Sequence, residues 1–312
     1  MITTPTVLIL GAGASQPFGF PSGKELLDLV CLRFNDKNKN IYKYVLENSI
    51  DYLGVDSKTI LKFREALTKL APTSVDAFLE HRTEFIEAGK ACIARELIHY
   101  EREKNLSADW YPYLLSKLNT SFEEFGKNKL SVITYNYDRS LEHFLFTALQ
   151  IRYNKSDSEI AQLLKNLPII HLHGKLGDLP WQNTDSTKCR EYNNTLSNQS
   201  VKISSNAIKI VCEDIDSDTE FKEAHKVLAE AEYIYFLGFG YDRTNLERLN
   251  ISAIATKARK ITGTAYGFTD MERHLKQVEW NSKPNIGHSQ KLILSATNNK
   301  VLEFLRNEVD LH

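Results

Sequence analysis

The sequence predicts an α/β protein: a parallel sheet with helices on both faces and a large helical insertion after the first strand. Three observations predict it. From Lys129 onward, short apolar runs alternate with segments of helical period, the pattern of a covered parallel sheet. Several of these runs end in Gly or Asn, residue types that turn a chain out of a strand. Roughly a hundred residues of helical pattern separate the first strand from the second, far more than a minimal crossover requires.

The elements follow in order. Val7 to Leu10 reads as a short buried strand, and Gly11-Ala12-Gly13-Ala14-Ser15 follows at once. Ser22 and Glu25 form a capping box that opens a helix over 23–34. Small residues between a strand and a helix let backbone N–H groups meet a phosphate. The same residues also suit a tight turn that binds nothing, and Gln16 stands where a dinucleotide fingerprint has its third glycine. A polar loop is expected at 35–40. Helices are expected at 41–49, 57–70, 75–103 and 107–125, so 35–127 reads as a helical insertion within one domain spanning 1–312.

Lys129 to Tyr135 is the second strand. It runs into Asn136-Tyr137-Asp138 and then a helix to Leu149. Asn and Asp at a carboxyl strand end lie where open parallel sheets hold ligands, although Asp138 also suits a helix cap. Ser156 and Glu159 open a short helix. Ile169 to Gly174 is a strand bearing His171 and His173 at period two, on one face. His173, at the strand end, is the catalytic candidate, and a structural role is expected for His171. No Asp, Glu or Cys completes a metal set around them, so no metal is expected. The segment 175–206 is polar and weakly periodic and reads as an irregular insertion. A strand at 207–212 and a helix at 219–230 follow. Tyr233 to Leu237 is a strong strand ending in Gly238-Phe239-Gly240, a second glycine turn. A helix at 245–256, a strand at 260–268, a helix at 269–280, a strand at 291–294 and a helix at 299–309 complete the chain.

The 312 residues carry a net charge of −1, so no global field draws the chain to nucleic acid or an anionic membrane. The four cysteines, Cys31, Cys92, Cys189 and Cys212, hold no C-x-x-C pair, which argues against a four-cysteine zinc site and for a reducing compartment. No basic-then-apolar leader is read. No apolar run approaches the ~20 residues of a membrane span. A cytoplasmic protein is expected.

Four motifs follow apolar strands in order: GAGAS at 11–15, TYNYD at 134–138, HLHG at 171–174 and LGFGYD at 237–242. Together they resemble the sirtuin family, and more closely its divergent sirtuin-like branch in bacterial anti-phage defence. Sirtuins carry GAG-x-S, Q-N-x-D and H-G in this order. The middle slot reads Tyr135-Asn136-Tyr137-Asp138 here, and the last reads His173-Gly174. The paired zinc cysteines of the deacetylase branch are missing, and Phe20-Pro21-Ser22-Gly23 replaces its P-D-F-R segment.

The resemblance implies a Rossmann-like sheet and NAD⁺ as substrate. The reaction implied is cleavage of the nicotinamide–ribose bond to nicotinamide and ADP-ribose. Asn136 would hold the attacking water or a ribose hydroxyl, Asp138 the nicotinamide carboxamide, and His173 would serve the ribose hydroxyls as base. Gly11, Ala12, Gly13 and Ser15 would line the diphosphate and ribose, with Gly238 and Gly240 against the adenosine half. Such an enzyme needs regulation, through a homo-oligomer or a partner such as a HerA-type ATPase or a phage-derived trigger. Two rival readings are an NAD-dependent protein deacylase and a non-catalytic NAD or ADP-ribose sensor.

Overall fold

The computed structural model describes residues 1–32, 55–70, 72–210, 218–283 and 286–312. The loop expected at 35–40 and the helix at 41–49 lie outside them, as do the ends of the helix at 23–34 and of the strand at 207–212. Six strands form one sheet: β1 (Thr6–Leu10), β2 (Leu130–Thr134), β3 (Ile169–His171), β4 (Tyr233–Leu237), β5 (Lys260–Gly263) and β6 (Leu292–Leu294). Their spatial order is 3-2-1-4-5-6 and every neighbouring pair is parallel. This is the order of the doubly wound nucleotide-binding folds, with its switch point between β1 and β4. The expected Rossmann-like α/β class is the observed one.

The central strand is buried along its whole length, as a strand covered on both faces must be. Its alternate residues feed two cores. Leu8 and Leu10 enter one, Val7 and Ile9 the other. The first core is covered by α1 (Gly23–Leu32), α2 (Ser57–Leu70), α3 (Val75–His81), α4 (Ile86–Ile98), α5 (Trp110–Lys117), α6 (Ser140–Tyr153), α7 (Asp157–Leu164) and α8 (Asn198–Ala207). The second is covered by α9 (Thr219–Glu230), α10 (Arg243–Leu249), α11 (Ile251–Ile254) and α12 (Asp270–Asn281). A last helix, α13 (Val301–Asn307), returns to the first core. The described helices between β1 and β2 thus share one apolar core with the sheet.

The periodicity at 75–103 predicts one helix, but the chain breaks at Arg82 (φ −126°, ψ 65°) between α3 and α4. Phe78 and Phe85 stack across the break, 6.1 Å apart, and the Arg82 guanidinium lies over both rings. Apolar spacing continues on both sides, so the pattern hides the break. The segment at 175–206 is more ordered than its composition implies, because α8 begins inside it. Ser197 and Ser200 form its capping box. A Ser- and Asn-rich helix has weak intrinsic propensity; this one forms by packing against the small buried residues of α4, among them Ala88, Ala91 and Cys92.

Register decides what meets at the carboxyl edge. Leu10 is paired with Thr134 on one side and Leu237 on the other, so Gly11, Tyr135 and Gly238 emerge side by side. The Gly13 N–H donates to the Gly238 carbonyl at 2.9 Å. A Cβ on Gly238 would lie 2.1 Å from the Ala14 nitrogen, and its φ is +58°. Gly238→Ala is therefore expected to cost about 2–4 kcal/mol, from left-handed strain plus overpacking. Gly240→Ala, with nothing within 4 Å of the added atom, should change stability by under about 0.5 kcal/mol. Urea titration of both variants checks the contrast.

Candidate functional site

The glycine loop is not a simple strand-to-helix turn. Two 3₁₀ turns, Ala12–Ala14 and Gln16–Phe18, intervene before α1. The Gly11 N–H donates to the Leu237 carbonyl, the Ala14 N–H to Gly11 and the Ser15 N–H to Ala12. With Gly13 on Gly238, four loop N–H groups are engaged within the protein. The start of α1 is capped as expected: the Ser22 N–H donates to the Glu25 carboxylate at 2.7 Å. Glycine at 11 and 13 is required because the β4 loop lies against it. A Cβ at Gly11 would sit 2.6 Å from the Gly238 carbonyl oxygen, and one at Gly13 2.9 Å from the same atom.

Beside this loop the TYNYD segment folds inward. The Asn136 amide nitrogen donates to the Gly11 carbonyl and to the Ser15 hydroxyl, both at 2.9 Å. A carbonyl cannot donate, so the NH₂ end must face Gly11 and the amide oxygen is left for a ligand. The Ser15 hydroxyl donates in turn to Asp138 at 2.6 Å. The other Asp138 oxygen accepts from the Ser140 N–H at 3.2 Å and from the Ser140 hydroxyl, which also bonds Tyr111. Asp138 is thus both the partner of the glycine loop and an acceptor at the start of α6. Burial pushes its carboxyl up, against the pull of the two serine hydroxyls.

The two histidines have separate surroundings. β3 ends at His171, and His173 lies in the turn beyond. One His171 ring nitrogen bonds the Asn136 carbonyl at 2.9 Å and the other the Glu142 carboxylate at 2.7 Å. His171 therefore fixes the backbone that presents Asn136. His173 is buried, its ring set edge-on to Tyr135 at 5.3 Å and its Nδ1 3.8 Å from Asp76. Its Nε2 is enclosed with no hydrogen-bond partner, a costly arrangement outside a functional site. Burial pulls its pKa down, against the opposing charge of Asp76.

Two cavities flank the glycine loop. The smaller, about 100 Å³, is lined by Ala12, Ser15, Asp76, Asn136, Tyr137 and Asp138 among others. The larger, about 600 Å³, is lined by residues including Gly13, Asp109, Gly238, Gly240, Tyr266 and Lys300. Ser15, Asn136 and Asp138 are thus brought into direct contact, and Gly13, Gly238 and Gly240 share the second space. His173 stands behind Tyr135 and Tyr137, which line the smaller cavity and flank its ring. Asp76, whose carboxylate bonds the Tyr137 hydroxyl, joins it to that cavity. Asp76, Asp109, Glu142 and Lys300 were not legible as site residues: each is an isolated charge that reads as a solvated face. Among the described residues no group of three or more His, Cys, Asp or Glu could hold a metal, and no helix is long and apolar enough to cross a membrane.

The fold and this cluster define a class: doubly wound α/β proteins with a polar site beyond the carboxyl ends of the central strands. No family model matches the chain, and no curated protein sequence matches it. Among solved structures, it is similar to a crystal structure of Sir2 in complex with the inhibitor EX-527, 2'-O-acetyl-ADP-ribose and a deacetylated p53 peptide. The match covers 96% of this chain and 90% of that one, at 17% identity and a TM-score of 0.37.

Proposed function

We propose that the chain is an NAD⁺ glycohydrolase, converting NAD⁺ and water to nicotinamide, ADP-ribose and a proton. The observation that carries this reading is the pair of cavities divided by the glycine loop. One elongated ligand with two ring-bearing halves would set one half in each and its diphosphate across the divide. Lys300 lines the larger cavity and supplies positive charge, which matters because most of the loop N–H groups are engaged within the protein.

Nicotinamide leaves as a neutral molecule, so the transition state, oxocarbenium-like as in other glycoside cleavages, calls for position and an aimed water rather than a strong acid. The Asn136 amide oxygen accepts from that water or from a ribose hydroxyl. His173 takes up the proton at its unpartnered Nε2 once the Tyr135 and Tyr137 side chains that stand between it and the cavity move aside. The Asp138 oxygen on the Ser15 side keeps lone-pair capacity for the carboxamide NH₂. A Tyr137–Asp76 contact from the helical insertion offers the regulated step, as a latch over His173. A defence role, with cofactor depletion as its effect, is consistent with such control.

Purified protein with NAD⁺ and no peptide is expected to release nicotinamide, followed by chromatography. Release only with an acyl-lysine peptide would instead support the deacylase reading. Stoichiometric binding without release would support a sensor.

The pH profile is a second prediction. Burial disfavours the imidazolium of His173, so the folded chain binds this proton more weakly than the unfolded chain. The base form persists below the ordinary histidine value of about 6.5. Nicotinamide release should stay flat from pH 7.5 to about 6.5 and fall only at more acid pH. Stability follows the same sign: it is full above about 6.5 and is lost as pH drops through the folded value. An acid limb centred above 7 would contradict the assignment.

A further inference from the structure

We infer that Glu142 is a positioning residue: it holds His171 as an imidazolium, and that cation grips the backbone carbonyl of Asn136. Its effect on turnover rests on the NAD⁺ reading above and adds to it the charge that aims Asn136. Its effect on the protonation of His171 is independent of that reading.

The geometry fixes the number of protons. Both His171 ring nitrogens meet an acceptor, Nδ1 the Asn136 carbonyl at 2.9 Å and Nε2 the Glu142 carboxylate at 2.7 Å. A carbonyl only accepts, so Nδ1 carries a hydrogen. A neutral ring would then turn the Nε2 lone pair on a carboxylate oxygen, two acceptors with no proton between them. One further proton must lie between His171 and Glu142. It belongs on the ring, because imidazole, ordinarily protonated up to about pH 6.5, is a stronger base than a glutamate carboxylate at about 4.3. Burial pushes the Glu142 carboxyl up, but the charge and hydrogen bond of His171, with Lys175 nearby, outweigh it and hold the carboxyl below its ordinary value.

The His171 and Glu142 side chains are only 6% and 4% exposed, so water does little to screen the pair. A hydrogen bond from a cation is roughly twice as strong as one from a neutral donor. This one lands on the residue whose amide also bonds the glycine loop. Burial and then the charge of Glu142 push the Asp138 carboxyl up, and an imidazolium on Glu142 opposes the second effect. The pair therefore bears on both Asn136 and Asp138 without lining the site.

Nitrogen-15 spectra of the histidine-labelled full chain test this, with the His171 signals identified by their loss in His171→Asn. Both ring nitrogens are expected in the protonated range. In Glu142→Gln the amide NH₂ donates to Nε2, so a neutral ring keeps both bonds. Nε2 should then move to the lone-pair range, and kcat for nicotinamide release should stay within about fivefold of the wild type. Glu142→Leu offers Nε2 no partner and should lower kcat at least about thirtyfold, with KM within about twofold, because Asn136 loses its aim. A wild-type ring with one lone-pair nitrogen overturns the assignment, as does a ring still doubly protonated in Glu142→Gln. Wild-type turnover by folded Glu142→Leu overturns the positioning role. A wild type that releases no nicotinamide overturns the NAD⁺ reading, and the ring spectrum alone then decides whether Glu142 holds the imidazolium.

Discussion

Asn136→Ala is expected to lower peptide-independent nicotinamide release by at least about 100-fold, the usual scale for losing one aimed polar group or misplacing it by an ångström. The reason lies in how the amide is held. Both of its N–H donors are fixed, one on the Gly11 carbonyl and one on the Ser15 hydroxyl, so the remaining oxygen has little freedom of direction. His171 bonds the Asn136 carbonyl from behind and removes the backbone freedom as well. Truncation loses the aimed acceptor and releases Ser15, whose hydroxyl then has only Asp138. Two lost hydrogen bonds should cost about 1–3 kcal/mol of stability, so turnover is to be compared where both proteins are folded by circular dichroism. His173→Ala should lower release by about 10²–10⁴-fold if it moves the proton. Both variants folded, binding NAD⁺ and turning it over at the wild-type rate would remove Asn136 and His173 from the mechanism.

The reach of the sequence is set by where each signal resides. The sheet was legible because parallel strands buried on both faces write continuous apolar runs, as in Val7 to Leu10 and Tyr233 to Leu237. Strand order then placed the ends of β1, β2 and β4 together. Ser15, Asn136 and Asp138 were legible because each lies in the short turn that leaves a strand end. The reason for glycine at 11 and 13 was not legible, since it lies in a loop more than two hundred residues away. The His171 and His173 pairing on one strand face did not hold, because β3 stops at His171 and the next two residues turn. Asp76 and Asp109 reach the site only through the packing of the insertion, which no local pattern records.

The same limit hid a large stability effect. Glu101→Ala is expected to destabilise the fold by about 3–5 kcal/mol, the cost of leaving buried charge without its partner. Glu101 is fully buried. It takes a two-pronged contact from Arg139, at 2.9 and 2.7 Å, and a further contact from Arg190. Burial pulls the Arg190 guanidinium down to about 10, against the opposing pull of Glu101. Arg139 also donates to the carbonyls of Gly177, Asp178, Arg190 and Glu191. This one guanidinium therefore ties the irregular segment after β3 to the start of α6, next in sequence to Asp138. Replacing Glu101 and Arg139 together by apolar residues should recover only part of the loss, because the Gly177 and Arg190 carbonyls lose their side-chain donor and the Arg190 guanidinium loses its carboxylate. Urea denaturation gives the magnitude, and amide exchange should rise first across 177–191. A loss under about 1 kcal/mol would mean that water enters and solvates the freed arginines. The 175–206 segment would then be held chiefly by the packing of α8 on α4, and the glutamate would not be what keeps Asp138 in place.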